Sequence, residues 1–469
     1  YDGFYGLQNV TNTMKLMDGY EFVKLQGEFF NEATMISRYF KDQGIVDYDI
    51  YRGTGNDFQD FVFVQAPTQS HRFNLRGGTA VTKHSTSVSY VDQTGVILNS
   101  AYSRLQARTS IDHDVKNWLK MGFTASYSSS KRIGSSPSSA SFSATNNLLQ
   151  NVWAYRPVTG SAEFDMLEDL FDPEVDYNND YRINPIVGAN NELRERFNTD
   201  LISNAYAEII FNQKLKLRST IGYVAKGQRW DQFNNSKTRS GNPRSSRVGV
   251  NGSVDYTDNT SWSNENILSY KNKFAKKHTV DALVGMTMQQ GDYTYNRVSM
   301  QFVPNEMLGM SGLDEGAFNT LSSVRSSWGM MSYLGRLNYN YDWKYYLTAS
   351  LRADGSSKFP TDNRWGVFPS ASVMWRFTKE SFMKDLTFMQ DGKIRASWGI
   401  TGNNRVTDFA SYFQITSNPA FKYYFGNSEI KGAAIATLGN NKLKWEETTQ
   451  SNIGLDLGFF DGMLTLVAD

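Results

Sequence analysis

Polar and apolar side chains alternate with a period of two along much of this chain, most clearly from Tyr345 to Asp354. Leu347 and Leu351 fall on one face of this segment, and Thr348 and Arg352 fall on the other. Successive side chains of a β-strand point to opposite faces, so the segment predicts a strand with one apolar and one polar face. A loop rich in Gly, Ser, Pro and Asn follows, and then a second alternating segment. Together they predict a β-hairpin.

The same period recurs through the chain, whereas helical periodicity is rare. Further alternating segments lie at 72–76, 86–90, 104–111, 120–127, 204–211, 215–223, 280–287 and 335–341. We count roughly fifteen strands, many near the ~10 residues that a tilted membrane strand needs.

The connections between these segments alternate in length. Short connections fall at 77–83, 113–117, 212–214, 271–278, 342–343 and 461–462, and long polar ones at 129–198, 229–257, 291–325 and 403–442. Tight periplasmic turns and long extracellular loops are typical of outer-membrane barrels. We therefore predict an all-β fold, a transmembrane antiparallel β-barrel of roughly fifteen strands with long extracellular loops.

We expect residues 1–469 to be one barrel portion, within which residues 11–68 form a partly helical first extracellular loop. Its stretch from Asp18 to Lys41 offers an Asp cap and spaced apolar residues, which indicate a helix. Strand-like patterns stand at both ends of the sequence, so we expect a piece of a longer polypeptide. In such a piece, Tyr1–Val10 and Met463–Asp469 each leave an unpaired edge.

Composition narrows the class of protein. The chain has 469 residues, of which 40% are hydrophobic and 14% aromatic. No apolar run approaches the ~18 residues of a membrane helix. A net charge of +1 gives no sign of a nucleic-acid partner. The absence of cysteine excludes disulfides and thiolate metal sites.

Residues that carry covalent chemistry are not concentrated anywhere. The four histidines fall on different strands or turns, and no hydrolytic triad is evident. We predict no catalytic residues, no metal site and no cofactor. An acidic run at 165–180 offers oxygen ligands for calcium, but it lacks EF-hand spacing, and a solvated loop is the alternative.

Two sets of residues are candidates for contact with a transported molecule. Aromatic residues of the long loops are candidate substrate-binding residues, or else they pack the loops together: Trp153, Tyr155, Trp230 and Phe233. Arginines on the polar faces of strands are predicted to line the lumen: Arg104, Arg108, Arg218, Arg336, Arg352 and Arg395.

Several segments together resemble the SusC/RagA family of TonB-dependent outer-membrane transporters. They are NDFQDFVFVQAPTQSHRFNLRGG from Asn56, VSYVDQTGVI, NWLKMGFTASYSSSK, LRADGSSKF, NRWGVFPSASVMWRF, IRASWGITGN and LKWEETTQSNIGLD from Leu443. The resemblance implies a barrel of about 22 strands with an N-terminal plug. It also implies energy coupling to TonB through a region before Tyr1, a SusD-like lipoprotein lid, and a bacterium of the Bacteroidota.

The leading interpretation is TonB-dependent active import of oligosaccharides or peptides across the bacterial outer membrane. Two other classes stay open at this point. A barrel enzyme, either a protease or a lipase, needs a convergent set of catalytic residues at the rim. A passive porin or adhesin has no plug, so a plug upstream of Tyr1 would exclude it.

Overall fold

The structure is a computed structural model that describes residues 1–134, 148–160, 166–169, 184–383, 385–386, 388–417 and 422–469. Within these residues, no helix has the length and apolar character needed to cross a membrane.

Strands dominate the described residues. They are β1 (Asp2–Gln8), β2 (Ala66–Gly78), β3 (Thr82–Thr94), β4 (Ala101–Lys116), β5 (Leu119–Ile133), β6 (Glu192–Ile210), β7 (Leu215–Asn234), β8 (Asn251–Phe274), β9 (His278–Gln301), β10 (Ala317–Tyr341), β11 (Tyr345–Ser356), β12 (Trp365–Trp375), β13 (Met389–Asn403), β14 (Gln414–Thr416), β15 (Lys422–Phe425), β16 (Ser428–Lys431), β17 (Ala434–Thr437), β18 (Glu446–Phe459) and β19 (Leu464–Ala468).

Fifteen of these strands form one antiparallel sheet, in the order β1 to β13 followed by β18 and β19. Strands that follow one another in sequence are neighbours, except that β13 pairs with β18 because β14–β17 form two small separate ladders. In the described part of the chain, β1 pairs only with β2, and β19 only with β18. The predicted strand number and the predicted free edges are both confirmed.

The register gives the sheet two distinct faces. We call the face of Thr348 and Arg352 the polar face, and that of Leu347 and Leu351 the apolar face. One row on the apolar face runs across five strands: Leu217, Leu268, Val284, Gly335 and Leu351. Large side chains on this face are exposed, and more than half of the surface of Ile221, Leu351 and Val373 is accessible.

The connections lie at two ends of the sheet, which we call the short-connection end and the long-connection end. The loops predicted at 229–257 and 291–325 are shorter than expected, because β7–β10 run for 20 to 25 residues each. A tilted strand spans a bilayer with ~10 residues. The remainder of each strand is also paired, with one register shift at Phe318/Thr320 in β10, but it is rich in polar side chains on both faces, so the sequence there resembles a loop.

The α-helices are α1 (Gly19–Phe29), α2 (Glu32–Tyr39), α3 (Phe58–Val62), α4 (Leu148–Ala154) and α5 (Pro185–Asn191). Short 3₁₀ helices lie at Tyr48–Tyr51, Glu306–Glu315, Thr361–Asn363, Phe377–Lys379, Ser381–Met383 and Phe460–Gly462. The predicted Asp cap is confirmed. Asp18 accepts a hydrogen bond from the Glu21 backbone at 2.8 Å, and Glu21 accepts one from the Asp18 backbone at 3.3 Å.

Two connections at the long-connection end share their hydrophobic cores. The β1–β2 connection contributes Val23, Met35, Tyr39 and Phe40 to a core completed by Val158 from the β5–β6 connection. A second core joins Phe58 and Val62 to Val152, Tyr155 and Met166. We call this unit, residues 9–65 with residues 148–160 and 166–169, the two-segment cap. Its halves fit closely, since a Cβ on Gly160 would lie 1.7 Å from the Arg38 carbonyl oxygen.

Candidate functional site

All six arginines predicted from the alternation lie on the polar face of the sheet. Arg352, for example, shares a cross-strand row with Leu334, Gly285, Ile267 and Arg218. The register places the remaining arginines on the same face: Arg104 and Arg108 on β4, Arg336 on β10 and Arg395 on β13. The common face of these residues is therefore an observed feature.

Several charges of the polar face form ion pairs. Arg352 donates from Nε to Asp354 at 2.7 Å, and Arg395 lies 3.4 Å from Asp456. Lys120 and Asp114 lie 3.2 Å apart. Other arginines of this face, such as Arg336, have no ion pair within the described residues.

An aromatic ring of β6 packs against Arg218 on the polar face. Tyr206 donates its hydroxyl to Asp112 at 2.7 Å, and the Arg218 guanidinium lies 3.8 Å from the centroid of the Tyr206 ring. Gly122 leaves space for this ring, since a Cβ there would lie 2.1 Å from it. Arg218 is thus held by an aromatic face.

A carboxylate in the connection between β12 and β13 is held by three donors. Glu380 accepts from Lys344 Nζ at 2.8 Å, Tyr345 Oη at 2.7 Å and Trp375 Nε1 at 3.3 Å. Hydrogen bonds to the charged form, led by that from Lys344, lower the pKa of Glu380 from 4.5 to about 2. Glu380 therefore stays ionised and ties together β11 and the end of β12.

Toward the long-connection end of β4–β7, the polar face brings two arginines opposite each other. Arg132 on β5 lies directly opposite Arg196 on β6, and Arg196 lies opposite Trp230 on β7. The Arg196 guanidinium lies over the Trp230 ring, 4.5 Å from the ring centroid. Within the described residues, neither Arg132 nor Arg196 has an ion-pair partner, and the nearest carboxylate in the row, Asp255, is 3.6 Å from Arg297.

Arg104 lies next to this pair, opposite Ser130 and one step below Arg132. Its Nε is buried and has no hydrogen-bond partner among the described residues. Ser130, Asn198 and Gln228 continue the row as a hydrogen-bonded ladder, at 3.3 and 2.8 Å. We call Arg104, Arg132 and Arg196 the arginine cluster.

Three aromatic side chains pack together at the same end of the sheet, beyond β11–β13. We call Phe359, Phe368 and Trp445 the aromatic cluster. All three side chains are buried, and the rings of Phe359 and Phe368 lie 5.2 and 5.3 Å from the Trp445 ring. Trp445 also donates Nε1 to the Arg364 carbonyl at 2.9 Å.

The four predicted aromatic residues are not brought together. Trp153 lies on α4 and is partly exposed, whereas Tyr155 is buried in the cap core with its ring 4.8 Å from Phe58. Phe233 is buried near the end of β7, and Trp230 lies on the polar face beside the arginine cluster. Of the four, only Trp230 shares a face with the predicted arginines, and a substrate-binding role for each stays a prediction.

Most of the acidic run at 165–180 lies outside the described residues, which include only Glu168 and Asp169 of its carboxylates. In the described part of the chain, no group of three or more His, Cys, Asp or Glu residues could hold a metal ion. The calcium hypothesis thus stays a prediction.

Sequence reasoning missed Arg132 and Arg196 because both fall inside a segment predicted to be a loop, 129–198. β5 continues to Ile133 and β6 begins at Glu192. A signal was present, since Arg196, Asn198 and Asp200 alternate with the less polar Phe197, Thr199 and Leu201. Greater weight on period two, and less on composition, would have found them.

A wide antiparallel sheet with one exposed apolar face, one polar face and alternating connection lengths is the architecture of an outer-membrane β-barrel. A family model described as TonB dependent receptor-like, beta-barrel matches residues 134–469, and the chain belongs to this family.

Relatives agree with this assignment. The chain is 29% identical to TonB-dependent receptor P39 of Formosa agariphila, a match covering 88% of this chain and 38% of that protein. It is 27% identical to TonB-dependent receptor SusC of Bacteroides thetaiotaomicron, covering 88% of this chain and 42% of that protein. The chain thus spans less than half the length of the curated relatives it matches.

A solved structure described as the RagAB peptide transporter matches with a TM-score of 0.78 and 22% identity, covering 99% of this chain and 53% of that chain. At this identity the match shows the fold. The chain is therefore a TonB-dependent receptor β-barrel of the outer membrane, and its fold is that of the matched RagAB structure. The family and the matched curated relatives are TonB-dependent receptors, which agrees with the expectation that this chain is not an enzyme.

Proposed function

We propose that this chain is the barrel portion of a transporter that imports oligosaccharides or peptides across the outer membrane, using energy delivered through TonB. The observation that supports this most is the register, which places charged and amide side chains on one face of fifteen strands. In a closed barrel such a face lines the interior, because the other face contacts lipid. Arg104, Arg108, Arg218, Arg336, Arg352 and Arg395 are then lumen-lining residues.

A SusD-like lipoprotein lid is the partner that we propose at the long-connection end. This end exposes large apolar side chains that water alone would not favour, among them Phe29 on the cap and Tyr412, Phe413, Tyr424 and Phe425 in the β13–β18 connection. Aromatic residues dominate the energetics of protein interfaces. A stable complex here should bury at least ~1,200 Å² in total.

We propose that the substrate is an oligosaccharide or a peptide. The matched RagAB structure is described as a peptide transporter. The partly exposed rings of Trp153 and Trp230 offer flat apolar surfaces that suit sugar rings and peptide side chains alike. We propose that both residues contact the substrate. The buried positions of Tyr155 and Phe233 favour a supporting role in loop packing.

The test is uptake by intact cells. The full-length gene is deleted and then restored, and cells are supplied with separate fluorescent pools of oligosaccharides and of peptides. We expect deletion to abolish accumulation of one pool and the restored gene to recover it, with no recovery when the inner-membrane proton gradient is dissipated. Unchanged uptake of both pools after deletion would contradict the proposal.

The lid is tested separately by purifying the full-length transporter from outer membranes. We expect a lipoprotein to co-purify with the native protein, and to be lost when residues 409–438 of the β13–β18 connection are replaced by a short Gly/Ser linker. The control is Met307→Ser in the β9–β10 connection, a side chain that is 90% exposed at the same end of the sheet. Failure of any partner to co-purify with the intact transporter would exclude a stable lid.

A further inference from the structure

On the apolar face of β5 and β6 a positive charge has an acidic partner, whereas on the polar face two positive charges lie opposite each other. On the apolar face, Lys131 of β5 lies 2.8 Å from Glu195 of β6, which gives an ordinary cross-strand ion pair. One residue further along, on the polar face, Arg132 lies directly opposite Arg196. Like charges directly opposite one another destabilise a sheet, whereas opposite charges stabilise it. The arrangement on the polar face therefore works against stability, although a carboxylate at either position would have removed the repulsion.

The Arg196 guanidinium is held in a way that leaves its donors free. Its Cζ lies over the Trp230 ring, 4.5 Å from the ring centroid, which is a cation–π contact and uses no N–H group in a hydrogen bond to a carboxylate. The N–H groups lie along the edge, in a fork that matches the two oxygens of a carboxylate or sulfate. Arg104 adds a third guanidinium with a buried Nε, for which the described residues provide no acceptor. A buried donor without an acceptor is costly unless a ligand supplies one.

The neighbouring side chains add neutral polar groups and few competing charges. Ser130, Asn198 and Gln228 form a hydrogen-bonded ladder that borders the cluster. The acidic member of the Arg196 row, Asp255, already accepts from Tyr295 at 3.2 Å and lies 3.6 Å from Arg297. None of the three guanidinium groups forms an ion pair with a carboxylate of the described residues, and Asp200, on the same face of β6, accepts from Ser128 instead.

We propose that Arg104, Arg132 and Arg196 form a binding site for a carboxylate group carried by the imported substrate. This rests on the proposed function, because the anion arrives as part of a transported molecule. The cluster accordingly selects acidic substrates over neutral ones of the same size. Trp230 positions Arg196, and its indole need not touch the ligand.

Direct binding to the full-length transporter, purified in detergent, tests the site. Two anionic probes are compared with neutral counterparts by calorimetry: trigalacturonate with maltotriose, and tetraglutamate with tetraglutamine. We expect one anionic probe to bind at least about tenfold more tightly than its neutral counterpart, with an affinity that falls as salt rises. The probe that binds identifies the source of the anion as a saccharide or a peptide. Equal binding of anionic and neutral probes, or no binding of either anionic probe, would overturn the proposal.

Substitutions then assign the binding to these residues. Arg132→Gln and Arg196→Gln should each weaken binding of the anionic probe by about tenfold, the usual effect of losing a charge-assisted hydrogen bond. Arg196→Lys keeps the charge but loses the fork, so it should restore only part of the affinity. Trp230→Leu should weaken anion binding through Arg196. The matched control is Lys131→Gln, one residue away on the apolar face, which should leave binding unchanged.

Stability of the same variants separates a ligand site from a structural one. Arg132→Gln should bind the anion less tightly while the protein becomes no less stable, because a repulsion is removed. If Arg132→Gln lowers the unfolding midpoint, or if Lys131→Gln weakens binding as much as Arg132→Gln does, the proposed site is wrong. If the anionic probe binds through the cluster but gene deletion leaves uptake intact, the site stands and import is wrong. The converse result leaves import in place without this site.

Discussion

Two regions at the long-connection end of the polar face differ in whether their side chains are packed against one another or left with unused hydrogen-bond donors. Beyond β11–β13, the aromatic cluster closes the face with three buried rings, and Trp445 makes its hydrogen bond to the Arg364 carbonyl. On β4–β6, the arginine cluster leaves three guanidinium groups without carboxylate partners among the described residues. The first region gains stability from burial, whereas the second keeps charged donors available at some loss of stability.

This difference distinguishes parts of the wall that hold the barrel together from parts that meet a solute. Polar groups that bind a ligand are unsatisfied until the ligand arrives, so they cannot also satisfy one another. Arg352 and Arg395 belong to the first kind, since both have carboxylate partners. Four measurements test this distinction.

The largest effect is expected in the aromatic cluster. Trp445→Ala removes a side chain that is 7% exposed, and it should lower the free energy of unfolding by about 3–5 kcal/mol, the usual cost of deleting a buried ring. The matched control is Trp118→Ala in the β4–β5 turn, where the ring is 54% exposed. Urea unfolding of the full-length protein in detergent measures both. Equal losses would mean that the cluster carries no special stability.

A smaller loss is expected from the paired part of the polar face. Asp354→Ala removes the carboxylate that Arg352 contacts at 2.7 Å, and should destabilise the protein by about 1–3 kcal/mol. A double-mutant cycle with Arg352→Ala separates the interaction from the effect of each residue alone. We expect a coupling of at least about 0.5 kcal/mol, and additive losses would show that the pair is only incidental.

A substitution in the arginine cluster should raise the free energy of unfolding, not lower it. Arg132→Gln removes one of two opposed positive charges, and should raise stability by about 0.2–1 kcal/mol. The gain should shrink at high salt, which already screens the repulsion. The comparison is Lys131→Gln, which loses its ion pair with Glu195 and should cost up to about 1 kcal/mol. A loss of stability in Arg132→Gln would place this residue among the structural charges.

The smallest effect concerns pH and the Glu380 carboxylate. Its folded-state pKa of about 2 lies below its ordinary value of 4.5. The stabilisation is therefore present above pH 4.5 and is lost as pH falls from there toward 2. The unfolding midpoint of the native protein should drop over this window more steeply than that of Glu380→Gln. Parallel curves for the two proteins would show that the three hydrogen bonds do not stabilise the folded state.

Period-two alternation predicted much of this molecule from the sequence, and composition misled where it was given more weight. The faces of Leu347, Leu351 and Arg352 follow from alternation alone, because one face of each strand is apolar. The ends of β7–β10 do not follow in this way. Beyond the bilayer both faces meet water, so residues such as Asn251 to Asn259 look like a loop while they pair as a strand.

The candidate site was predicted in part. Arg104 and Trp230 were singled out separately, but sequence could not bring them to adjacent rows, because that depends on the register of four strands. The burial of Tyr155 and Phe233 depends on contacts between distant segments, which local patterns do not contain. The α1 start at Asp18 was predictable because a capping box is local.

The two-segment cap bears on the order in which the molecule assembles. The sheet forms almost wholly between strands that follow one another in the chain, so each hairpin closes a short loop. Val23 and Val158 share a core, yet they lie on the order of a hundred residues apart, with β2–β5 between them. Such distant contacts form slowly because the loop-closure entropy must be overcome first. The cap is therefore expected to complete its fold only after those hairpins exist, and its backbone amides should exchange with solvent as a cooperative unit distinct from the sheet.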